Sequence, residues 1–241
     1  FKIGGIPPIP EVSRVTWVET TEAADAANEP GVFTALIGWE WSSNNGGANL
    51  HRIVITDSAA EQAQRYQPYS FLDSSFPEDL WAWLDQTSAE TGADFIAIPH
   101  NSNISKGYMF DTQTLRGKPL SPEYAAARMR WEQVVEVTQI KGDGEAHPML
   151  SPDDEFADYE TWDNGSFGPE PKTPDMLPRE YAREALKRGL AYEAELGANP
   201  FKFGMIGSTD AHTGLTGATE DNFYGKVAAV EPTTDPIRFM E

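Results

Sequence analysis

Phe203-Gly204-Met205-Ile206-Gly207-Ser208-Thr209-Asp210-Ala211-His212 is an apolar run that breaks off into a polar turn holding a carboxylate and an imidazole. It reads as a buried strand followed by a chelating loop. In a parallel α/β sheet or barrel, residues just past the C-terminal end of a strand line the binding crevice, so Asp210 and His212 are expected to point there. A carboxylate and an imidazole at this separation make a workable metal-chelating pair. A turn in which Asp210 caps the backbone is the structural alternative, and it leaves His212 without a reason.

The same pattern recurs upstream. Phe95-Ile96-Ala97-Ile98-Pro99 delivers His100 into the polar loop Asn101-Ser102-Asn103. His100 is a ligand candidate, and Asn101 is placed to orient it or to contact substrate. Alternatively the two asparagines simply build a turn. Leu36-Ile37-Gly38-Trp39-Glu40-Trp41 embeds a carboxylate in an apolar run, and a buried charge must be paired, protonated or metal-bound. After the Gly46-Gly47 loop comes His51, a further ligand candidate, with Arg52 beside it as a possible ion-pair partner for Glu40 or a cation for a substrate anion. Glu136, inside Val134-Val135-Glu136-Val137, meets the same buried-charge argument. Beyond it, Lys141-Gly142-Asp143-Gly144-Glu145-Ala146-His147 mixes a cation, carboxylates and a histidine. Lys141 suits a substrate oxyanion, and Glu145 and His147 suit acid/base work, unless these are solvated loop residues.

Working outward, apolar and β-branched runs at 32–41, 51–56, 95–99, 134–140, 203–208 and 226–230 read as buried strands. Between them lie helical patterns. Pro77-Glu78-Asp79 opens one with proline in the first turn and acid at its positive end, and Gly92 closes it. Others are expected at 122–133 and 178–196. Strands alternating with helices imply βα units and a largely parallel sheet in a single domain over 1–241. Residues 149–178, rich in Pro, Asp, Gly and Glu, have no steady period and are expected to form a long loop or lid over the mouth of a site.

Composition narrows the function classes. Lys and Arg number 18 against 38 Asp and Glu in 241 residues, and a net charge of -20 argues against a phosphate-backbone binder, so no nucleic-acid partner is expected. A small anionic ester would need local cations to be held. With no cysteine, disulfides, thiolate zinc sites and cysteine nucleophiles are excluded. No apolar run is long enough to span a membrane. Phe1-Lys2-Ile3-Gly4-Gly5-Ile6 reads as mid-protein sequence, so an upstream segment is expected. There is no glycine-rich phosphate loop, no Gly-x-Ser-x-Gly elbow and no His-Glu-x-x-His helix. Metal chemistry is the simplest account of what remains.

The series Glu40, His51, His100 and Asp210-x-His212, each at a strand end, resembles the polymerase-and-histidinol-phosphatase (PHP) superfamily. Phe33-Thr34, Gly38-Trp39-Glu40-Trp41, Asn49-Leu50-His51-Arg52, Ile98-Pro99-His100-Asn101, Lys141-Gly142-Asp143-Gly144-Glu145, Ser208-Thr209-Asp210-Ala211-His212 and Asp221-Asn222-Phe223-Tyr224-Gly225-Lys226 resemble, more closely, the bacterial family called domain of unknown function 3604. This resemblance implies a distorted (β/α)7 TIM-like barrel with a two- or three-metal centre of Mn, Zn or Fe. Glu40 matches the bridging carboxylate, and His51, His100, Asp210 and His212 match further ligands. The superfamily's leading His-x-His strand and its Asp-His turn are absent, so the barrel is expected without its N-terminal strand and those ligands upstream of Phe1. A periplasmic or secreted setting is also implied.

Two functions follow as expectations. One is a hydrolase of phosphate or related sulfate esters, in which metal ions polarise the ester and activate water. The other is a non-catalytic sugar- or partner-binding module on a degenerate barrel, using some of the seven tryptophans, such as Trp41, Trp81, Trp83 and Trp162. The plainer account of most of those tryptophans is core packing.

Overall fold

The computed structural model describes residues 10–163, 165–169, 171–212 and 219–222. The chain opens on helix α1 (Pro10–Ala27), then strand β1 (Ile37–Trp41), a small ribbon of β2 (Asn44–Asn45) and β3 (Ala48–Asn49), and β4 (Arg52–Thr56). Helices α2 (Ala60–Ala63) and α3 (Pro77–Thr91) lead to β5 (Phe95–Pro99). Helix α4 (Pro122–Trp131), β6 (Val134–Gln139), β7 (Gly142–Asp143), helix α5 (Ala182–Leu196) and β8 (Gly204–Gly207) complete the described elements. The strand expected at 226–230 lies outside the described residues.

The fold is mixed α/β. One sheet has the order β1-β4-β5 and a second the order β7-β6-β8, with the β2-β3 ribbon apart. Among the described residues these strands close no barrel. The largely parallel sheet expected from the alternation of elements is also corrected. β4 runs antiparallel to both β1 and β5, and only β6 and β8 pair in parallel. The link from β1 to β4 explains the first pairing. It is a short ribbon turning at Gly46 and Gly47, with φ of 59° and 86°, whereas a parallel crossover needs about a dozen residues or more.

Helix α3 forms where proline and acid open it, and Gly92, left-handed at φ 76°, ends it by donating to Ser88 O. Its buried face carries Leu80, Trp81 and Leu84, each leucine contributing roughly 2 kcal/mol by burial. These side chains pack with Trp41, Val54, Phe95, Ala97 and Trp131 in one core. A second core joins Val135 and Val137 of β6 to Phe110, Ala182, Ala185 and Phe201. Helix α1 was not evident in the sequence because only Trp17 and Thr21 are buried along it, while Val12 and Val15 are exposed. The strand expected from residue 32 starts later, at Ile37, because Val32, Phe33 and Leu36 are exposed around a turn at Gly31.

Between the two cores lies a buried ionic knot. Glu132 receives Arg52 Nε and Trp81 Nε1, both at 2.9 Å, on one carboxylate oxygen and faces Arg128 Nε at 3.0 Å with the other. Arg52 also donates to Leu50 O and lies over the Trp41 ring. Its guanidinium therefore belongs to the interior and serves neither Glu40 nor a substrate anion, because a side chain at position 52 of a pleated strand faces away from one at position 51.

Candidate metal centre

Strand alternation selects the residues of the site. On β1, Ile37, Trp39 and Trp41 face the aromatic core, which puts Gly38 and Glu40 on the opposite face. On β4, Arg52, Val54 and Thr56 are buried toward the core and are paired with Trp41, Trp39 and Ile37. On β5, Phe95, Ala97 and Pro99 are likewise buried. His51, one residue before β4, and His100, one residue after β5, thus fall on the face of Glu40. Because β4 is antiparallel, His51 enters at a strand start while His100 leaves a strand end, and the two are linked by His100 N–H donating to His51 O at 3.3 Å.

Glu40 Oε1 lies 2.7 Å from His51 Nδ1 and 3.2 Å from His100 Nε2. One ligand atom from each of the three residues lies within 4.8 Å of the others. Buried His51 Nε2 and His100 Nδ1 have no hydrogen-bond partner, and His100 Nε2 stands off the hydrogen-bond line to Glu40. Burial pushes the Glu40 carboxyl up, but the imidazoles of His100 and His51 beside it outweigh that and hold it far below the usual carboxylate range. Burial is also the main cause that lowers the His51 imidazole, which keeps a lone pair available for a cation. An ionised carboxylate beside imidazoles with orphaned nitrogens fits a divalent transition metal.

Asp210 and His212 form a second group. Asp210 Oδ1 meets His212 Nε2 at 3.1 Å, and its Oδ2 accepts from the Lys141 ammonium. The two groups share one electrostatic neighbourhood. Buried Glu136 accepts from Gln139 Nε2 at 2.9 Å, and its carboxyl is pushed up by burial first, then modulated by His100, Asp210 and Lys141. The pairing of β6 with β8 is irregular between Glu136 and Thr138, the kind of bulge that re-aims side chains next to sites. Asn101 and Asp210, each following a strand, both take left-handed backbone at φ of 52° and 53°, a sparsely populated conformation that clusters at functional loops. Both amide atoms of the Asn101 side chain are buried and have no hydrogen-bond partner.

Glu145 and His147 are placed elsewhere. Arg183 donates to Glu145 Oε1 at 2.8 and 3.0 Å. His147 Nδ1 accepts from Met149 N–H at 3.1 Å, so Nε2 carries the proton directed at Asp163, 3.0 Å away. Both ring nitrogens therefore hold residues 149–163 in place, and neither side chain joins the Glu40 cluster. The long loop at 149–178 does reach the site. Phe167 N–H donates to Gly47 O at 2.8 Å, and the Phe167 ring stacks on His51 at 6.1 Å and 29°. No periodic signal marked Phe167. The loop needs Gly47, where a Cβ would stand 2.3 Å from Gly168 N.

The same loop is latched to the loop after β5. Fully buried Glu180 forms an ion pair with Lys172 Nζ at 2.6 Å and accepts from Gly107 N–H at 3.3 Å, and Lys172 donates to Asn103 O at 2.7 Å. Burial pushes the Glu180 carboxyl up to about 7 against the downward pull of Lys172. A folded value above the ordinary 4.5 means that the folded state binds the proton more tightly between those limits. Its stabilising effect is then complete below the ordinary value and is lost as pH rises toward 7. In urea titrations at about pH 5 and about pH 7.5, wild type should lose on the order of 2 kcal/mol more than Glu180→Gln over that interval. Equal losses would contradict this account of the latch.

No helix among the described residues is long and apolar enough to cross a membrane. No curated protein and no solved structure matches the chain. A family model described as "Protein of unknown function (DUF3604)" matches residues 5–241, a span that contains every strand-end residue described above. The chain therefore belongs to the DUF3604 family.

Proposed function

We propose that this protein is a metal-dependent hydrolase of phosphate or related sulfate esters, with Mn, Zn or Fe held by Glu40, His51 and His100 and by Asp210 and His212. The observation that carries this reading is the convergence of Glu40 Oε1 with two imidazoles, of which His51 Nε2 and both His100 nitrogens are buried without a hydrogen-bond partner. The wider architecture we infer is an arc of the distorted (β/α)7 barrel of the PHP superfamily. It is supported by ligand-type residues at strand termini, with Glu40, His51 and His100 on one face of the β1-β4-β5 sheet and Asp210 and His212 in the turn that follows β8 of the other sheet.

Divalent ions, when bound, supply Lewis acidity toward the ester oxygen and acidify the attacking water. The chain's own residues do the rest. Glu40 stays ionised and His51 stays neutral, as ligation requires. Lys141 neutralises Asp210 and is placed to meet an anionic ester from that side. Asn101 offers a buried amide whose donor and acceptor are both available to substrate. Phe167 covers one face of His51 and limits water there.

Elemental analysis of protein purified without chelator tests the reading. At least one Mn, Zn or Fe ion per chain is expected, and chelation should lower Tm and end turnover of 4-nitrophenyl phosphate or 4-nitrophenyl sulfate. Less than one tightly bound ion per chain would overturn the metal assignment, and full turnover after complete metal removal would overturn the mechanism.

A further inference from the structure

A cavity of about 610 Å³ opens at the turn that leads to Asp210, lined by residues from β6, β7, the long loop and that turn after β8. It lies within the range of small-molecule sites, about 300–1,000 Å³. Its position is fixed by the residues already described. Gln139, one wall, donates to Glu136 and accepts from Lys141 N–H at 3.4 Å. Thr209, another wall, immediately precedes Asp210 in the chain. A molecule in the cavity is therefore a neighbour of Lys141 and Asp210.

The far wall is Trp162, and it is built in. Asn103 Nδ2 donates to both Lys141 O and Trp162 O, at 2.9 and 2.8 Å. Asp143 N–H donates to Glu160 O at 3.1 Å. Gly142, at φ +96°, allows the approach, since a Cβ there would stand 2.3 Å from Trp162 Cβ. Among the seven tryptophans Trp162 alone is exposed, at 48 %, while the others are buried or half-buried. A tryptophan whose backbone is anchored this firmly while its side chain is left open to solvent gains nothing for the core.

The rest of the lining decides what the indole faces. Thr138, Thr161, Ser208 and Thr209 bring hydroxyls, Glu160 brings a carboxylate, and among the described residues no lysine or arginine lines the cavity. Hydroxyl groups that donate and accept, one carboxylate acceptor and an aromatic platform match a neutral, hydroxyl-rich ring, whose C–H face packs on indole while its hydroxyls bond at the edges. An anionic group is disfavoured beside Glu160 and is better met at Lys141. The geometry points to a sugar-binding subsite: the cavity takes the neutral sugar portion of the substrate, while its ester group lies toward Lys141 and the metal cluster. The placement of the ester rests on the hydrolase reading, whereas binding of a free sugar does not.

The test uses metal-loaded protein and four neutral hexoses, glucose, galactose, mannose and N-acetylglucosamine, each titrated by calorimetry and by tryptophan fluorescence. At least one should bind saturably, and Trp162→Ala should weaken it about tenfold. Metal content of Trp162→Ala serves as the check that the adjoining centre is still formed. Gly142→Val, which pushes on the Trp162 wall from behind, should weaken the same sugar. Glucuronate should bind more weakly than glucose. Absence of binding by all four, binding unchanged in Trp162→Ala, or glucuronate binding more tightly than glucose would each overturn the assignment. Saturable sugar binding in protein that hydrolyses no hexose phosphate or sulfate would leave the subsite standing and remove the hydrolase reading alone.

Discussion

Glu40→Gln is expected to abolish ester hydrolysis and to weaken transition-metal binding by at least about a hundredfold, while far-UV circular dichroism stays close to wild type and urea unfolding matches that of chelator-treated wild type. Glu40 Oε1 is within reach of both His51 Nδ1 and His100 Nε2. A glutamine of nearly identical shape removes the negative charge that holds a cation between the imidazoles. Its N–H2 group ligates poorly and its carbonyl is a weaker donor than a carboxylate. The fold should tolerate the change because Glu40 lies on the site face of β1, away from Trp39 and Trp41. Isothermal titration with Zn or Mn reads the loss directly. A variant that keeps stoichiometric metal would remove Glu40 from the centre whatever its activity.

Glu132→Ala should be the most destabilising single change among the described residues, by about 3–5 kcal/mol. Arg52 and Arg128 are both buried, and Glu132 is the carboxylate they share. Truncation leaves two guanidiniums and the Trp81 indole N–H facing a cavity in the interior, and an uncompensated buried charge costs far more than the pair contributes. Against a typical total stability of about 5–15 kcal/mol, such a loss would leave the protein partly unfolded near 37 °C. Glu132→Gln, which keeps an acceptor for Trp81, should cost less than the alanine variant. Chemical denaturation measures both, and a cost below about 1 kcal/mol for Glu132→Ala would show that the arginines find other partners.

The sequence made most strands and helices legible, because apolar, β-branched runs and paired proline and glycine signals are local, although β8, expected to be buried, is exposed along its whole length. It also marked Glu40, His51 and His100, since a carboxylate or imidazole beside an apolar run violates the pattern around it. Strand direction was another matter. Alternation is the same in parallel and antiparallel strands, so the reversal of β4 was carried only by the shortness of the Trp41-to-Arg52 link. Nearness in sequence points Arg52 toward Glu40 or a substrate anion, yet its partner Glu132 is separated by 80 residues. The neighbours of His147 point to an acid/base group, whereas its binding by Met149 N–H and Asp163 depends on a loop that has no period. Phe167 and the Lys172–Glu180 latch were invisible for the same reason.

Adjacent residues His51 and Arg52 serve opposite faces of one sheet, and this ties the accuracy of assembly to the chemistry. Were β4 to slip by a single position against β1 and β5, every side chain would change faces. The guanidinium would land beside Glu40 and His100 and the imidazole would be driven into the aromatic interior, opposite a carboxylate set to receive two arginines. The ion pair of Arg52 with Glu132 therefore favours the observed register over the slipped one. The register that completes this core is the same one that brings His51 to Glu40.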